Sequence, residues 1–130
     1  MAQQLFLTLP VNDVGRAKRF FSELDFAFED SFSSESGVAM KVGDAFVMLL
    51  AADHFADVVP GMPADHASDE ALVAFSVDSR DDADRVAALA EKAGATLQDT
   101  RDFGWMYERP FTDLDGHQWE AMYVEAPPTS

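Results

Sequence analysis

The stretch Phe111-Thr112-Asp113-Leu114-Asp115-Gly116-His117-Gln118-Trp119-Glu120-Ala121-Met122-Tyr123 decides how this chain is read. Asp-Leu-Asp-Gly is a turn sequence. It feeds a short apolar strand with one carboxylate, Glu120, in its middle. Side chains alternate across a strand, so Trp119, Ala121 and Tyr123 share one face and Glu120 and Met122 share the other. A carboxylate inside such a strand is costly unless something pairs with it. Glu120 is therefore a ligand for something, or the remnant of one. Asp113 and Asp115 have the look of a calcium loop, but no spaced run of further acids follows them. They are read as shaping the turn.

Working outward, the elements fall into two similar halves. Leu5 to Val11 reads as a strand. Val14, Ala17, Phe20, Phe21 and Leu24 then recur at helical spacing after an N-cap at Asp13. Strands are expected over Phe26–Phe32, Gly37–Val42 and Ala45–Leu50, the last after a Gly43-Asp44 turn. Ala52–Val59 reads as a short helix stopped by Pro60. Residues 60–70, small and polar with Pro60 and Pro63, read as a linker. The order then repeats. Leu72–Val77 is a strand, and Ser79-Arg80-Asp81-Asp82 resembles a capping box. Ala83, Val86, Ala87, Ala90 and Ala93 lie on one helical stripe that Gly94 ends. Ala95–Arg101, Trp105–Arg109 and Gln118–Glu125 supply further strands, and 126–130 is a tail.

Val11-Asn12 and Val77-Asp78 are 66 positions apart, as are Ala17 and Ala83. The shared offset across strand and helix points to a duplication, each half reading β-α-β-β-β. The expected class is α+β: two tandem modules, about 4–59 and 71–125, in a single domain, forming a curved mixed sheet around a cleft. Alternation then picks the residues that line it. Leu5, Leu7, Leu9 and Val11 make an unbroken apolar set suited to packing on a helix, so Phe6 and Thr8 face the other way. Val73, Phe75 and Val77 form the matching core set, leaving Leu72 and Ala74 toward the cleft. Met48 and Leu50 share a face. The repeat makes Phe6 equivalent to Leu72 and Met48 to Glu120. Trp105, Tyr107 and Met122 are further candidates for the wall, and Arg101 and Arg109 are candidate anion-binding groups.

Composition excludes several functions. The chain has 130 residues, 24 of them Asp or Glu and 9 Lys or Arg, for a net charge of −15. Nucleic acid and anionic membranes would be repelled. The acidity is spread along the chain and reads as a solubility device. No apolar run is long enough to cross a bilayer. The start lacks a basic region, so no signal peptide is expected. There is no cysteine, hence no disulfide and no thiolate nucleophile or metal ligand, which fits a cytoplasmic protein. No Ser-His-Asp set and no phosphate-cradling loop is present. His54, His66 and His117 read as surface or turn residues.

Taken together, Leu9-Pro10-Val11-Asn12-Asp13, Phe20-Phe21-Ser22-Glu23-Leu24, Val47-Met48-Leu49-Leu50, Phe75-Ser76-Val77-Asp78-Ser79-Arg80, Gly104-Trp105-Met106-Tyr107 and the Phe111–Glu120 segment resemble the vicinal oxygen chelate superfamily. That group includes glyoxalase I, extradiol dioxygenases, fosfomycin-resistance enzymes and bleomycin-binding proteins. The resemblance covers nearly the whole chain and is greatest to the bacterial proteins labelled predicted lactoylglutathione lyases. It implies homodimers that bind small molecules. In metal-dependent members His, Glu or Gln side chains from the first and last strands of each half hold a divalent ion. Here those positions are Phe6, Met48, Leu72 and Glu120, and only Glu120 is a donor. No metal cofactor is therefore expected. Three readings stay open: a module binding a small amphipathic or cationic molecule, a metal-free enzyme using Glu120 as acid or base, and a metal lyase or dioxygenase whose ligands lie elsewhere.

Overall fold

The computed structural model describes residues 3–58 and 71–125. The linker expected over 60–70, with His66 in it, and the tail from 126 to 130 lie outside the described residues. The chain divides into two compact units, Met1–His66 and Ala67–Ser130.

In the first unit β1 (Phe6–Val11) leads into α1 (Val14–Glu23), followed by β2 (Gly37–Val42), β3 (Ala45–Ala51) and α2 (Ala52–Val58). The sheet order is β1-β3-β2, with β1 parallel to β3 and β2 antiparallel to it. Asp13 caps α1 as expected: its Oδ1 accepts the Arg16 N–H at 2.9 Å, satisfying one of the free donors of the first turn. The apolar stripe Ala17, Phe20, Phe21 and Leu24 is buried where α1 packs on β3 and β2, on the inner face of the sheet, which carries Val47, Leu49, Val38 and Met40. Leu5 was expected to extend that inner set; it lies before the strand and is exposed. Gly43 takes a positive φ of 57°, which lets two residues close the β2–β3 hairpin.

The strand expected over Phe26–Phe32 is corrected. It shrinks to one bridge, Phe28 to Met40, followed by a 3-10 turn over Asp30–Phe32. The cause is local competition for backbone groups. Ser33 Oγ donates to the Glu29 carbonyl at 2.9 Å, Ser31 Oγ donates to the Glu29 carboxylate at 2.6 Å, and the Ala39 N–H is taken by Ser33 Oγ.

In the second unit β4 (Leu72–Ser76) leads into α3 (Arg80–Lys92), followed by β5 (Thr96–Leu97), β6 (Arg101–Asp102), β7 (Met106–Thr112) and β8 (Gln118–Val124). The sheet order is β4-β8-β7-β5, with β6 also on β7. β4 runs parallel to β8, as β1 does to β3. The repeat is thus visible in the hydrogen bonding. The N-caps Asp13 and Ser79 keep the 66-residue offset, and Thr8 pairs with Met48 where Ala74 pairs with Glu120. Ser79 Oγ accepts the Asp82 N–H at 3.0 Å, and Asp82 returns to the N–H of Asp78 rather than of Ser79. Ala83, Val86, Ala87 and Ala90 are buried, and α3 packs on β7 and β8 over Phe75, Phe111, Trp119 and Ala121. Small side chains let the helix sit close to the sheet. Burying each large aromatic contributes about 1.5–3 kcal/mol.

The single strand expected over Ala95–Arg101 is two short pieces, and β7 runs through Pro110 to Thr112 instead of stopping at Arg109. One residue accounts for both. Within an antiparallel strand a residue's N and O point to the same neighbour. The Pro110 carbonyl accepts the Gln98 N–H at 3.0 Å, so its ring nitrogen, which has no hydrogen to donate, faces the same side. The ladder breaks there, between β5 and β6, and β7 continues because its bonds to β8 lie on the other side.

Candidate functional site

Register fixes which side chains share the face of the second sheet opposite α3. Along β8 these are Gln118, Glu120 and Met122; along β4, by pairing, Leu72, Ala74 and Ser76. Along β7 they are Glu108, Pro110 and Thr112, and from β6 the residue level with Glu108 is Arg101. Leu72 is half exposed. A pocket of about 520 Å³ opens on this face, lined by Ala71, Leu72, Gln98, Asp99, Arg101, Pro110 and Gln118. A polar chain crosses its wall: Gln98 Nε2 donates to Thr112 Oγ1 at 3.0 Å, and Thr112 Oγ1 donates to Gln118 Oε1 at 3.2 Å.

Arg101 joins the pocket to the carboxylates beneath it. Its Nη2 lies 3.3 Å from Glu120 Oε2 and its Nε 3.3 Å from Glu108 Oε1. The side chains of Glu120 and Glu108 are 4% and 10% exposed, whereas that of Arg101 is 51% exposed. Two buried carboxylates therefore share one half-solvated cation. Burial pushes the Glu120 carboxyl up, the neighbouring Glu108 pushes it further, and Arg101 pulls it partly back, leaving it at about 7. Glu120 thus changes charge near neutrality, with hydrogen-bond donors and a pocket beside it.

Glu108 escaped the sequence reading. The signal was there, a second acid inside the apolar strand Met106-Tyr107-Glu108-Arg109-Pro110-Phe111, but its face is set by the β7–β8 register. The same register corrects the placement of Tyr107, expected on the face of Glu120. Tyr107 lies on the helix side, where its hydroxyl donates to Asp84 Oδ1 of α3 at 2.6 Å. Arg109 holds the same oxygen, so it is a partner of α3 rather than a group of the pocket. Asp84 is held below the usual carboxylate range chiefly by the Tyr107 hydroxyl, with Arg109 adding to it. Arg80 stacks on the Tyr107 ring at 4.9 Å and pairs with Asp102. Trp105 precedes β7 and accepts the Glu125 N–H. It lies five rungs along the ladder from the Pro110–Glu120 pair, about 16 Å at strand spacing.

The candidates of the first unit also share a single face of their own sheet, since Phe6, Thr8 and Pro10 pair with Phe46, Met48 and Leu50. Phe6 is half exposed and stacks on Phe46 at 5.1 Å, and Phe32 packs edge-on to Phe46 at 5.4 Å. Leu50 is buried because it faces Gly37, where a Cβ would collide with its Cδ2. His54 is exposed on α2.

The Asp-Leu-Asp-Gly turn is a structural device. Asp113 is buried; its Oδ1 accepts the N–H groups of Asp115 and His117, both at 2.9 Å, and its Oδ2 accepts the indole N–H of the fully buried Trp119 at 2.8 Å. Burial raises its carboxyl above the usual range although these bonds and His117 oppose the shift. Gly116, with φ 88°, closes the turn. The turn therefore sets the β7–β8 register, and the register places Glu108 beside Glu120.

Comparison with known proteins agrees with this architecture. The profile of the Glyoxalase/Bleomycin resistance protein/Dioxygenase superfamily matches residues 3–121. A hypothetical protein from S. aureus is 22% identical, with 95% of each chain covered and a TM-score of 0.82. A glyoxalase-related enzyme from Fulvimarina pelagi is 17% identical over 100% of this chain and 94% of its own, also with a TM-score of 0.82. The fosfomycin resistance protein FosX from Mesorhizobium loti is 21% identical over 95% and 90%, with a TM-score of 0.67. At these identities the likeness is one of fold. No curated protein matches the chain.

Proposed function

Because the chain belongs to the glyoxalase/bleomycin resistance protein/dioxygenase superfamily, whose members bind small molecules, we propose that it binds a small amphipathic or cationic organic molecule in the pocket beside Arg101, and does so without a resident metal ion. The observation that carries the reading is the shared cation: two buried carboxylates and one half-exposed arginine at the edge of a 520 Å³ pocket. Leu72 and Pro110 offer apolar surface, and Gln98, Gln118 and Asp99 offer polar groups. A few fixed polar groups among apolar ones are the usual make-up of a small-molecule site.

The donor set argues against a divalent ion. Phe6, Met48 and Leu72, three of the four positions that the superfamily uses for ligation, carry no hard donor. The fourth, Glu120, is then a lone donor, already paired with a guanidinium 3.3 Å away, and one carboxylate does not make a coordination set. Among the described residues no three His, Asp or Glu side chains are gathered as a ligand set.

The position of Glu120 near 7 favours one further reading, a metal-free lyase or related enzyme in which Glu120 exchanges a proton with the bound molecule. Backbone NMR titration with a panel of small aromatic and aliphatic amines, amides and acids tests the binding. Shifts centred on Leu72, Gln98, Arg101 and Gln118 are expected, and shifts confined to other surfaces would sink the proposal. Titration with zinc, nickel and manganese tests the metal-free claim, which stoichiometric tight binding would overturn. Turnover lost in Glu120→Gln while binding persists would select the enzymatic reading.

A further inference from the structure

We infer that the Glu108–Glu120 pair is a recognition site for a planar organic cation, an amidine or guanidine, and that Arg101 occupies it as a displaceable internal substitute. The inference rests on the small-molecule reading of the pocket and names the ligand class of that site.

The contacts of Arg101 differ from those of the arginine next to it in the fold. Arg80 reaches Asp102 at 2.8 and 3.1 Å and the Gly104 carbonyl at 2.8 Å, the lengths expected of a charge-assisted fork. Arg101 reaches both of its carboxylates only at 3.3 Å. It comes from β6, a strand of two residues on the part of the ladder that Pro110 interrupts, and half of its side chain is in solvent. A long contact made from a short edge strand is readily exchanged. The carboxylates, by contrast, sit on the long paired strands β7 and β8 and are buried, so they stay in place and still need a cation when Arg101 leaves.

The charge of the site sets the sign of the ligand. Glu108 of β7 and Glu120 of β8 face Arg101 of β6, and Asp99 stands at the pocket rim. Ala74 of β4, level with Glu120, and Gln118 and Met122 beside it on β8 are neutral. With Glu120 ionised, three carboxylates and one guanidinium border the site. An anion would meet net negative charge, and a cation would relieve it. A planar fork matches two carboxylates better than a compact ammonium does, and Leu72 and Pro110 offer an apolar surface for the body of the ligand. A cation that reaches the pair more closely than Arg101 does at 3.3 Å favours the ionised form of Glu120 more strongly than Arg101. Binding therefore releases a proton near neutral pH and strengthens as pH rises from 6 to 8.

Three probes of one shape decide the matter: benzamidine, benzamide and benzoate, titrated calorimetrically into the full chain at pH 7 in two buffers of different ionisation enthalpy. The expected result is benzamidine binding at least about tenfold tighter than benzamide, the scale of a hydrogen bond to a charged group, with proton release and with Arg101→Ala tightening it further. Glu108→Gln and Glu120→Gln should each remove the preference. Equal binding of benzamidine and benzamide in the pocket would overturn the cation site and leave small-molecule binding standing. A preference for benzoate that Arg101→Ala abolishes would reverse the assignment to an anion site. No binding by any probe, with none of the pocket resonances moving in the wider NMR panel, would remove both readings. The probe series and the proton count are measured on the unmodified chain, so they decide the point even where a glutamine variant fails to fold.

Discussion

At pH 5 a buried Glu120 and a glutamine in its place are both neutral, and at pH 8 only one of them is. The folded chain holds the Glu120 proton up to about 7, against 4.5 for an ordinary glutamate. Because the folded-state value is raised, the folded form binds more protons than the unfolded form between those two values. Stability therefore falls as pH rises through that window, by roughly 3 kcal/mol for a shift of this size. Glu120→Gln removes the loss. Its stability relative to the natural chain is expected to rise from pH 5 to pH 8, and denaturant unfolding at the two values checks it; parallel pH profiles would show that Glu120 is not held protonated. The residue was legible in the sequence because a lone acid in an apolar strand stands out by alternation alone. Its partner was not. Placing Tyr107 on the pocket face put Glu108 on the helix face by the same one-residue parity, and a slip of one position moves every side chain of a strand to the other side. Asp113, through its three accepted hydrogen bonds, resolves that parity, and a tertiary contact to the Trp119 indole is not written in the spacing of the turn.

The helices carry their own start signals, and these were readable because they act within four residues. Ser79 accepts the Asp82 N–H, so Ser79→Ala is expected to destabilise the second unit by about 1 kcal/mol, with Ser79→Asp restoring most of the loss. Thermal unfolding of the two variants measures it, and an unchanged midpoint for the alanine variant would show that the cap bond carries no net stability. The strands that departed from expectation did so for reasons outside their own pattern. The segment over 26–32 has strand-like residues, but its serine hydroxyls take backbone groups that a ladder would need. The segment over 95–101 is divided by a proline on a different strand. Both faults come from hydrogen-bond partners that periodicity does not specify. The same interruption leaves Arg101 on a two-residue strand, so the break that obscured the fold also places the arginine of the pocket wall on a short edge.

Over the whole molecule the 24 acids outnumber the 9 basic residues by 15, and the repeat, the faces of β1, β3, β4 and β8 and this charge were legible because they are properties of pattern and count. No helix among the described residues is long and apolar enough to cross a membrane. The charge acts at two ranges, and salt separates them. Self-repulsion among exposed carboxylates weakens the compact state, and at 0.15 M salt such interactions fade beyond a screening length of about 8 Å. Raising sodium chloride from about 0.02 to 0.2 M should therefore raise the unfolding temperature. The buried Glu108–Glu120 pair is screened less, but a cationic ligand approaching it crosses the same negative surface, so its association slows as salt rises. Stability and cation affinity are thus expected to move in opposite directions in one titration, read by thermal unfolding and by benzamidine binding. In Glu108→Gln and Glu120→Gln both trends should persist while the affinity itself falls at every salt concentration, because the long-range field is intact and the local charge is reduced. If affinity in those variants equalled that of the natural chain at every salt concentration, the cation would be held by the general acidity of the surface and not by the carboxylate pair.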